Sequence, residues 1–551
     1  MEKSFVSACG FQPVTETENG AKAYHDTGSA LVTQFGMVSK YRGRELLEVF
    51  GDQEKVWEEN NLYGLRFPFY LRLISRTTNL TFGKTNKMQK GQGLRDESFK
   101  RLLWIAKNHR DVFFKNIRLI PYFGSWKDLF TLLWYDEQYH TNCFTDEDKK
   151  LFYYIIEMGL SHDDEKNLVK KFMPRIRANK KLKTDRARAL NNIAKGIASY
   201  LHLSYGEYNK LKAGGTGHNF QKILCEKRYD DLDWGKIPGR ALYKLTNGKF
   251  LSNHNLEQVY LDWIISQKSA KFTGYPYELV RKVRDLGITL SKKSLASQVS
   301  ILTADAQFKH LIEQAKADNR INENVLVCLD TSGSMNQSVD GLKKITCLDI
   351  AISLALFFSE LNTGEFHKTV MMFDNVVTPY KVVGNSLHEQ IEHLPRVGSG
   401  GTNFMGVAQE LIKIHRYNPT VPLETYPTTI LVVSDMQFNS VPYYYNGDDK
   451  KTNYEATVAS LKSEFPADWV DNLKFIWWNC AGRKQTFESD AFKPGSIIAS
   501  GFDGNLINLI MGMEPKVNKV TGEKTLPTAE DIVKNALEQE IFEYVNFGGE
   551  E

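Results

Sequence analysis

Three oxygen-bearing side chains follow an apolar run near the middle of the 551-residue chain. They are Asp330, Ser332 and Ser334, and residues 325–329 before them have the length and apolar content of a buried parallel strand. A carboxylate and two hydroxyls at alternate positions of a tight turn can point at one spot. Mg²⁺ prefers oxygen ligands, so this segment predicts a site for Mg²⁺ or another divalent cation.

Two later segments extend the predicted site. A glycine-rich loop, residues 398–403, carries Thr402 just before a helix-like segment, and a second apolar run, residues 428–434, ends at Asp435. The carboxyl ends of parallel strands meet at one edge of a sheet, where open α/β sheets bind ligands. The predicted metal residues are therefore Asp330, Ser332, Ser334, Thr402 and Asp435.

The periodicity of apolar residues changes near residue 320. Before it, apolar residues recur at helical spacing and strand signals are scarce, which favours many short helices in a helical repeat, although no fixed sequence period is found. Helices are predicted at residues 29–38, 44–59, 96–108, 111–119, 129–134, 146–158, 185–203, 257–266 and 304–317.

After residue 320, strand and helix patterns alternate, which predicts a doubly wound, mostly parallel sheet. Strands are predicted at residues 325–330, 369–374, 429–435, 473–479 and 496–500, and helices at 345–361, 403–416, 453–463 and 504–512. A last amphipathic helix is predicted at residues 528–544. The predicted domains are a helical domain (1–320), an α/β domain (321–514) and a C-terminal helical extension (515–551).

The composition is that of an ordinary globular protein, with 42% hydrophobic and 25% charged residues. The net charge of +4 is too small to indicate a nucleic-acid partner by itself. Six cysteines without a C-x-x-C pair favour reduced thiols, and no signal peptide or membrane-spanning run is discernible. We therefore expect a cytoplasmic protein without a membrane partner.

The local charge distribution is more informative. Residues 166–195 contain eleven Lys or Arg and one acid, Asp185. Such density attracts phosphate through counterion release, although a solvated helix face would have the same composition. Arg175 and Arg177, which stand among apolar residues, could equally be structural. The residues that would contact the phosphates of a nucleic acid are Lys180, Lys181, Lys183, Arg186 and Arg188.

The order Asp-x-Ser-x-Ser, then Thr, then a strand ending in Asp resembles the von Willebrand factor A domain and its metal-ion-dependent adhesion site (MIDAS). This resemblance implies that Ser332, Ser334 and Thr402 bind the metal directly or nearly so, while Asp330 and Asp435 act largely through water. In such sites the open coordination position often takes a carboxylate from a partner protein. Metal-assisted hydrolysis by the two aspartates is an alternative, but the resemblance argues against it, and we expect no enzyme.

Residues 91–99 and 116–129, together with 172–175 and 234–241, resemble the TROVE module of the Ro autoantigen family. They are most similar to its uncharacterised TROVE-like branch in bacteria, plants and viruses. The resemblance implies a ring of HEAT-like repeats closed by the von Willebrand A domain. Ro proteins bind small non-coding Y RNAs on the ring's outer face and misfolded RNA 3′ ends in its central hole. We therefore expect a ribonucleoprotein component that binds such RNA; the alternative is a scaffold that binds a partner's acidic residue through the metal.

Overall fold

The structure, a computed structural model, describes residues 14–548 except 81–82, 179–180, 215–218, 288–292, 319–323, 340–341, 343, 363–364, 396–399, 442–450, 482–484, 503, 505, 512, 514 and 518–523. The chain divides into two units. The sheet unit comprises Met1–Arg42 and Ile237–Ala536, and the helical unit comprises Gly43–Lys236 and Leu537–Glu551.

The described strands are β1 (Val14–Glu16), β2 (Lys22–Tyr24), β3 (Ile74–Leu80), β4 (Gly83–Gln92), β5 (Val325–Asp330), β6 (Thr369–Phe373), β7 (Val377–Lys381), β8 (Thr429–Ser434), β9 (Lys474–Asn479), β10 (Ser496–Ser500), β11 (Lys516–Val517) and β12 (Lys524–Thr525). Six of them form the main sheet in the order β10-β9-β8-β5-β6-β7. All neighbours in that sheet run parallel except β6 and β7.

The described α-helices are α1 (Ala30–Gly36), α2 (Leu46–Glu59), α3 (Asn61–Arg72), α4 (Arg95–Asn108), α5 (Arg110–Asn116), α6 (Ile120–Phe123), α7 (Lys127–Tyr139), α8 (Asp146–Ser161), α9 (Lys166–Phe172), α10 (Asp185–Tyr200), α11 (Tyr205–Ala213), α12 (Asn219–Cys225), α13 (Gly239–Asn247), α14 (Phe250–Asn253), α15 (Glu257–Ser266), α16 (Pro276–Leu286), α17 (Leu295–Asp318), α18 (Cys347–Leu361), α19 (Leu387–His393), α20 (Met405–Tyr417), α21 (Asn453–Lys462), α22 (Ala467–Asp471), α23 (Leu506–Met511) and α24 (Ala529–Leu537). Short 3-10 helices lie at Val38–Lys40, Ile117–Leu119, Tyr229–Asp231, Trp234–Lys236, Gly333–Asn336, Leu423–Thr425 and Glu540–Tyr544.

Helices cover both faces of the main sheet. On one face, Cys328 and Val432 of the central strands share a buried core with Phe404 and with Val407 of α20. On the other face α18 packs against β5, β6 and β8, and its Phe358 ring lies 5.0 Å from that of Trp478 in β9. Strands buried on both faces read as continuous apolar runs, which explains why the sequence predicted them. The expected doubly wound α/β architecture is confirmed at this level.

In the helical unit, α2 to α5 pack each on the next, α6 packs on α7 and α8 on α9, and the last residues of the chain join this unit. Arg66 of α3 donates hydrogen bonds to the carbonyls of Leu537 and Val545 at 3.3 and 3.1 Å. The first bond satisfies the last carbonyl of α24, and the two together fix the tail to this unit.

The unit boundaries differ from the predicted domain limits at residues 320 and 514. Helices α13 to α17 belong to the sheet unit, where α16 packs on α18. The fully buried Asp349 of α18 accepts hydrogen bonds from Arg281, at 3.1 Å, and from Arg284 of α16. A buried carboxylate requires such partners, so α16 is tied to α18 of the sheet unit although its sequence has a purely helical pattern.

Two features of strand structure were missed. The hairpin of β3 and β4 lies in the half predicted to be helical, because polar residues such as Arg76 and Asn79 hide the alternation of a strand. The antiparallel edge strand β7 contains Pro379, a residue that a sheet tolerates at its edge but that disguises a strand in sequence. Helix α17 also begins at Leu295, nine residues before the predicted start at residue 304.

Among the described residues, no helix combines the length and apolar content that crossing a lipid bilayer requires. The cysteines that the structure describes as free thiols are Cys143, Cys225, Cys328, Cys347 and Cys480.

Candidate metal centre and basic surface

Strand β5 brings Asp330 to the carboxyl edge of the main sheet. Every residue of the strand is buried, and Asp330 is fully so. In the following turn, the Ser332 N–H donates a hydrogen bond to Asp330 Oδ1 at 2.9 Å. The hydroxyl oxygens of Ser332 and Ser334 lie 3.1 Å apart. The three residues predicted from the Asp-x-Ser-x-Ser spacing therefore converge.

The loop that carries Thr402 lies against this turn. The Gly333 N–H donates to the Gly400 carbonyl at 3.0 Å, and Gly400 has a φ of +91°, which favours glycine. Thr402 is buried, and its backbone exchanges two bonds with Asn439: its N–H donates to Asn439 Oδ1 at 3.1 Å, and its carbonyl accepts from the Asn439 N–H at 2.9 Å. Residues 398–399 of the predicted loop lie outside the described residues.

Asp435 reaches the same edge at the end of β8. This strand pairs in parallel with β5, with Val433 opposite Leu329, so the two strands end side by side. The Ser434 hydroxyl donates to Asp330 Oδ2 at 2.5 Å, and the fully buried Asp435 accepts from the Gln437 N–H at 3.1 Å through Oδ1. All five predicted metal residues thus lie on three neighbouring loops at one sheet edge.

Two buried carboxylates so placed destabilise each other when both are ionised. Burial, and then the charge of Asp435, raise the pKa of Asp330 above its ordinary range. A divalent cation would compensate both charges, and the hydroxyls of Ser332, Ser334 and Thr402 are the hard oxygen donors that Mg²⁺ accepts. The donor set therefore fits the predicted metal.

Hydroxyl oxygens are essential to that prediction. Within the described part of the chain, no three His, Cys, Asp or Glu side chains come together in a way that could hold a metal ion. A site with two carboxylates would bind through the serines and the threonine, with water completing the shell, as Mg²⁺ commonly does. Metal binding stays a prediction.

One residue at this edge was not foreseen. Asn19, in the turn between β1 and β2, donates through Nδ2 to the Gln437 carbonyl at 2.5 Å and lies 3.5 Å from Thr402 Oγ1. It is exposed, so a ligand at the edge would meet its amide. Nothing local in the sequence marks it, because more than 380 residues separate it from Thr402.

The residues predicted to bind RNA do not share one environment. Lys181, Lys183 and Arg188 are exposed, and Arg188 is paired with Asp185. Arg186 is half-buried, with its guanidinium carbon 4.6 Å from the ring centre of Trp134. Lys180 lies outside the described residues.

Comparisons with known proteins match part of the chain to a family model and find a distantly similar viral protein. Residues 323–543 match the family model of a domain of unknown function (DUF7788), a segment that contains the whole candidate metal centre. "Uncharacterized protein L728" of Acanthamoeba polyphaga mimivirus is 22% identical over 523 residues, which cover 90% of this chain and 84% of the viral protein.

A solved structure is also similar over most of its length. The crystal structure of the Deinococcus radiodurans RO (RSR) protein aligns with a TM-score of 0.44 and 13% identity, covering 94% of this chain and 99% of that chain. A TM-score of 0.44 is too low to assign the fold or the function of this chain. The resemblance to the Ro family, the HEAT-like repeat and the von Willebrand A assignment therefore stay hypotheses.

Proposed function

We propose that the protein binds RNA without catalysing a reaction, and that the basic side chains of the helical unit make the contact. The observation that carries this proposal is the concentration of cations in residues 166–195, where eleven Lys or Arg accompany one acid. Lys181, Lys183 and Arg188 are exposed, so they can meet phosphates. The exposed ion pair of Arg188 with Asp185 contributes little free energy, so Arg188 can exchange this carboxylate for a phosphate. The sequence resemblance to the Ro family supports RNA as the nucleic acid.

Reversing the charge of Lys181, Lys183 and Arg188 together to glutamate is expected to weaken binding of a single-stranded RNA at least about tenfold. The slope of log affinity against log salt should fall by about 2, since each phosphate contact on a single strand contributes about 0.7. Fluorescence anisotropy titrations at several salt concentrations measure both quantities.

The matched control reverses three exposed lysines of the sheet unit, Lys244, Lys249 and Lys493. It changes the net charge by the same amount and should leave both quantities near the wild-type values. If both triple variants lost RNA affinity equally, the effect would be due to net charge. That result would contradict the assignment of RNA binding to Lys181, Lys183 and Arg188. An unmodified protein without salt-sensitive RNA affinity would overturn the proposed function.

A second function is favoured by the candidate metal centre. We propose that the edge formed by Asp330, Ser332, Ser334, Thr402 and Asp435 holds Mg²⁺ or another divalent cation. The open coordination position of that cation would accept a carboxylate from a partner protein. What supports this is that two fully buried aspartates and the hydroxyl-bearing Ser332, Ser334 and Thr402 lie on neighbouring loops at one sheet edge. The two functions are compatible, because the residues involved belong to different units.

Saturating Mg²⁺ is expected to stabilise the protein by about 1–3 kcal/mol, because a ligand that binds only the folded state adds RT ln(1 + [L]/Kd). Thermal unfolding with Mg²⁺ or with chelator measures the difference. Ser332→Ala and Thr402→Val should abolish it, while Ser338→Ala, an exposed serine nearby, should keep it. The same unfolding temperature in Mg²⁺ and chelator for the wild type would contradict the metal site.

The protein-binding part has its own test. A partner that co-purifies with the wild type should be lost both on chelation and in Ser332→Ala, while RNA affinity stays unchanged. Retention of the partner under both conditions would place its binding site elsewhere.

A further inference from the structure

Five cationic side chains line a cavity of about 350 Å³ within the helical unit. Lys127 comes from α7, Arg186 from α10 and Lys212 from α11, while Arg175 and Arg177 come from the extended segment after α9. Among the residues that the structure describes, none of the five forms an ion pair with a carboxylate. Positive charges that converge without compensation favour an anionic ligand.

Two of these cations are held in place by neutral groups. Lys212 Nζ donates to the carbonyls of Lys170 and Lys171 at 3.4 and 3.2 Å, at the carboxyl end of α9. The Arg186 guanidinium lies over the ring of Trp134. Carbonyls and an aromatic face orient a cation but leave its charge available to a ligand.

The cations also destabilise one another. Burial, and then the charges of Arg175 and Arg177, lower the pKa of Lys212. Burial, and then Arg186 and Arg95, lower the pKa of Lys127, and the neighbouring carboxylate of Asp128 offsets this only in part. Asp128 is itself paired with Arg72 and with Arg95. An anion in the cavity would relieve this repulsion.

A buried amide provides an independent observation. Asn191 of α10 lines the cavity and is only 2% exposed. Its Oδ1 accepts a hydrogen bond from the backbone N–H of Arg177 at 2.8 Å. Its Nδ2 is buried with no hydrogen-bond partner among the described residues. Native proteins rarely leave a buried donor unsatisfied, so the Asn191 amide is a donor available to an acceptor atom of a water or a ligand in the cavity.

Most of the remaining wall is apolar. Phe130, Phe172 and Pro174 line the cavity beside the cations. A volume of about 350 Å³ is in the range of small-ligand pockets and suits one nucleotide rather than a duplex. The ring of Phe172, which is half-buried, offers a stacking surface for a base.

We propose that this cavity receives the terminal phosphomonoester of an RNA strand, with the phosphate among the five cations and the Asn191 amide, and the last nucleoside against the apolar wall. The proposal rests on the proposed RNA binding and adds recognition of an end. A terminal monoester carries a charge of about −1.5 to −2 at neutral pH, against −1 for an internal diester, so convergent cations favour the terminus.

The test compares one internally labelled single-stranded RNA with three kinds of end: hydroxyl at both ends, phosphate at the 5′ end, or phosphate at the 3′ end. One phosphorylated form should bind about tenfold tighter than the hydroxyl form, which corresponds to one or two charge-assisted hydrogen bonds. The phosphorylated form that binds more tightly identifies which end of the RNA the cavity receives. Inorganic phosphate should weaken binding of that phosphorylated form more than binding of the hydroxyl form.

The substitution Asn191→Asp keeps the acceptor for the Arg177 N–H and replaces the amide donor by a carboxylate. It should remove the preference for the phosphorylated end. Asn192→Asp is the matched control, because Asn192 is exposed on the same helix and lines a different cavity. Arg177→Gln, which changes an exposed side chain, should also reduce the preference. It provides the test if Asn191→Asp fails to fold.

The outcomes separate this proposal from the RNA function on which it rests. Equal affinity for all three ends, with salt-sensitive binding intact, would overturn the terminal-phosphate site and leave RNA binding standing. A preference that persists in both Asn191→Asp and Arg177→Gln would also overturn it. Absence of binding to all three RNAs would overturn the RNA function itself.

Discussion

Replacing Glu97 by alanine is expected to lower the free energy of unfolding by about 3–5 kcal/mol, because it removes a buried carboxylate that two buried arginines share. Glu97 is 1% exposed and Arg101 is 0% exposed. Glu97 Oε1 accepts from Arg44 Nη1 at 3.1 Å and from Arg101 Nε at 3.0 Å. This carboxylate joins helix α4 to the segment before α2 inside the helical unit.

Urea denaturation followed by far-ultraviolet circular dichroism measures the loss. Glu97→Gln should lose most of the same stability, since it keeps the volume and removes the charge. Glu54→Ala, an exposed change on α2, should remain within about 0.5 kcal/mol of the wild type. Wild-type stability in both Glu97 variants would show that the buried network is not needed.

The second large effect is a dependence of stability on pH that Glu488→Gln should remove. Glu488 is buried, and its Oε2 accepts from the Tyr454 N–H at 3.2 Å, at the start of α21. Burial raises the pKa of Glu488 from its ordinary 4.5 to about 8. The folded state therefore holds a proton that the unfolded state releases, and the wild type loses stability as the pH rises from 4.5 to 8.

Glutamine stays neutral, so the variant should gain stability relative to the wild type over this window. The expected gain is on the order of 3–5 kcal/mol at the upper end, since one pKa unit corresponds to about 1.36 kcal/mol. Urea denaturation of both proteins at pH 5, 6.5 and 8.5 measures it, and other titrating groups cancel in the difference. Glu424→Gln, an exposed control, should follow the wild type, whereas a difference for Glu488→Gln that does not change with pH would contradict the burial argument.

The sequence located much of the sheet unit. The runs that became β5 and β8 are buried on both faces and therefore apolar throughout, so both their positions and their ends were readable. Because parallel strands end at a common edge, Asp330 and Asp435 could be placed together before any contact was known. The serines followed from their spacing within one turn.

What the sequence could not provide depends on contacts between distant segments. Asn19 meets the Thr402 loop only because the turn between β1 and β2 lies at this edge, and α16 joins the sheet unit through the carboxylate of Asp349. The edge strand β7 and the hairpin of β3 and β4 lack a clear apolar pattern, so only pairing reveals them.

Residues 166–195 show most clearly what the sequence determines and what the tertiary structure adds. Composition identified residues 166–195 as cationic, and it favoured Lys181 over Arg177, whose role was left open. The tertiary structure groups Arg177 with Lys127 and Lys212 around the buried amide of Asn191, across more than 80 residues of sequence. Local pattern determines which segments are strands, helices or charged. Which charges face one another is decided by packing, because electrostatic contacts act through space and leave no period in the sequence.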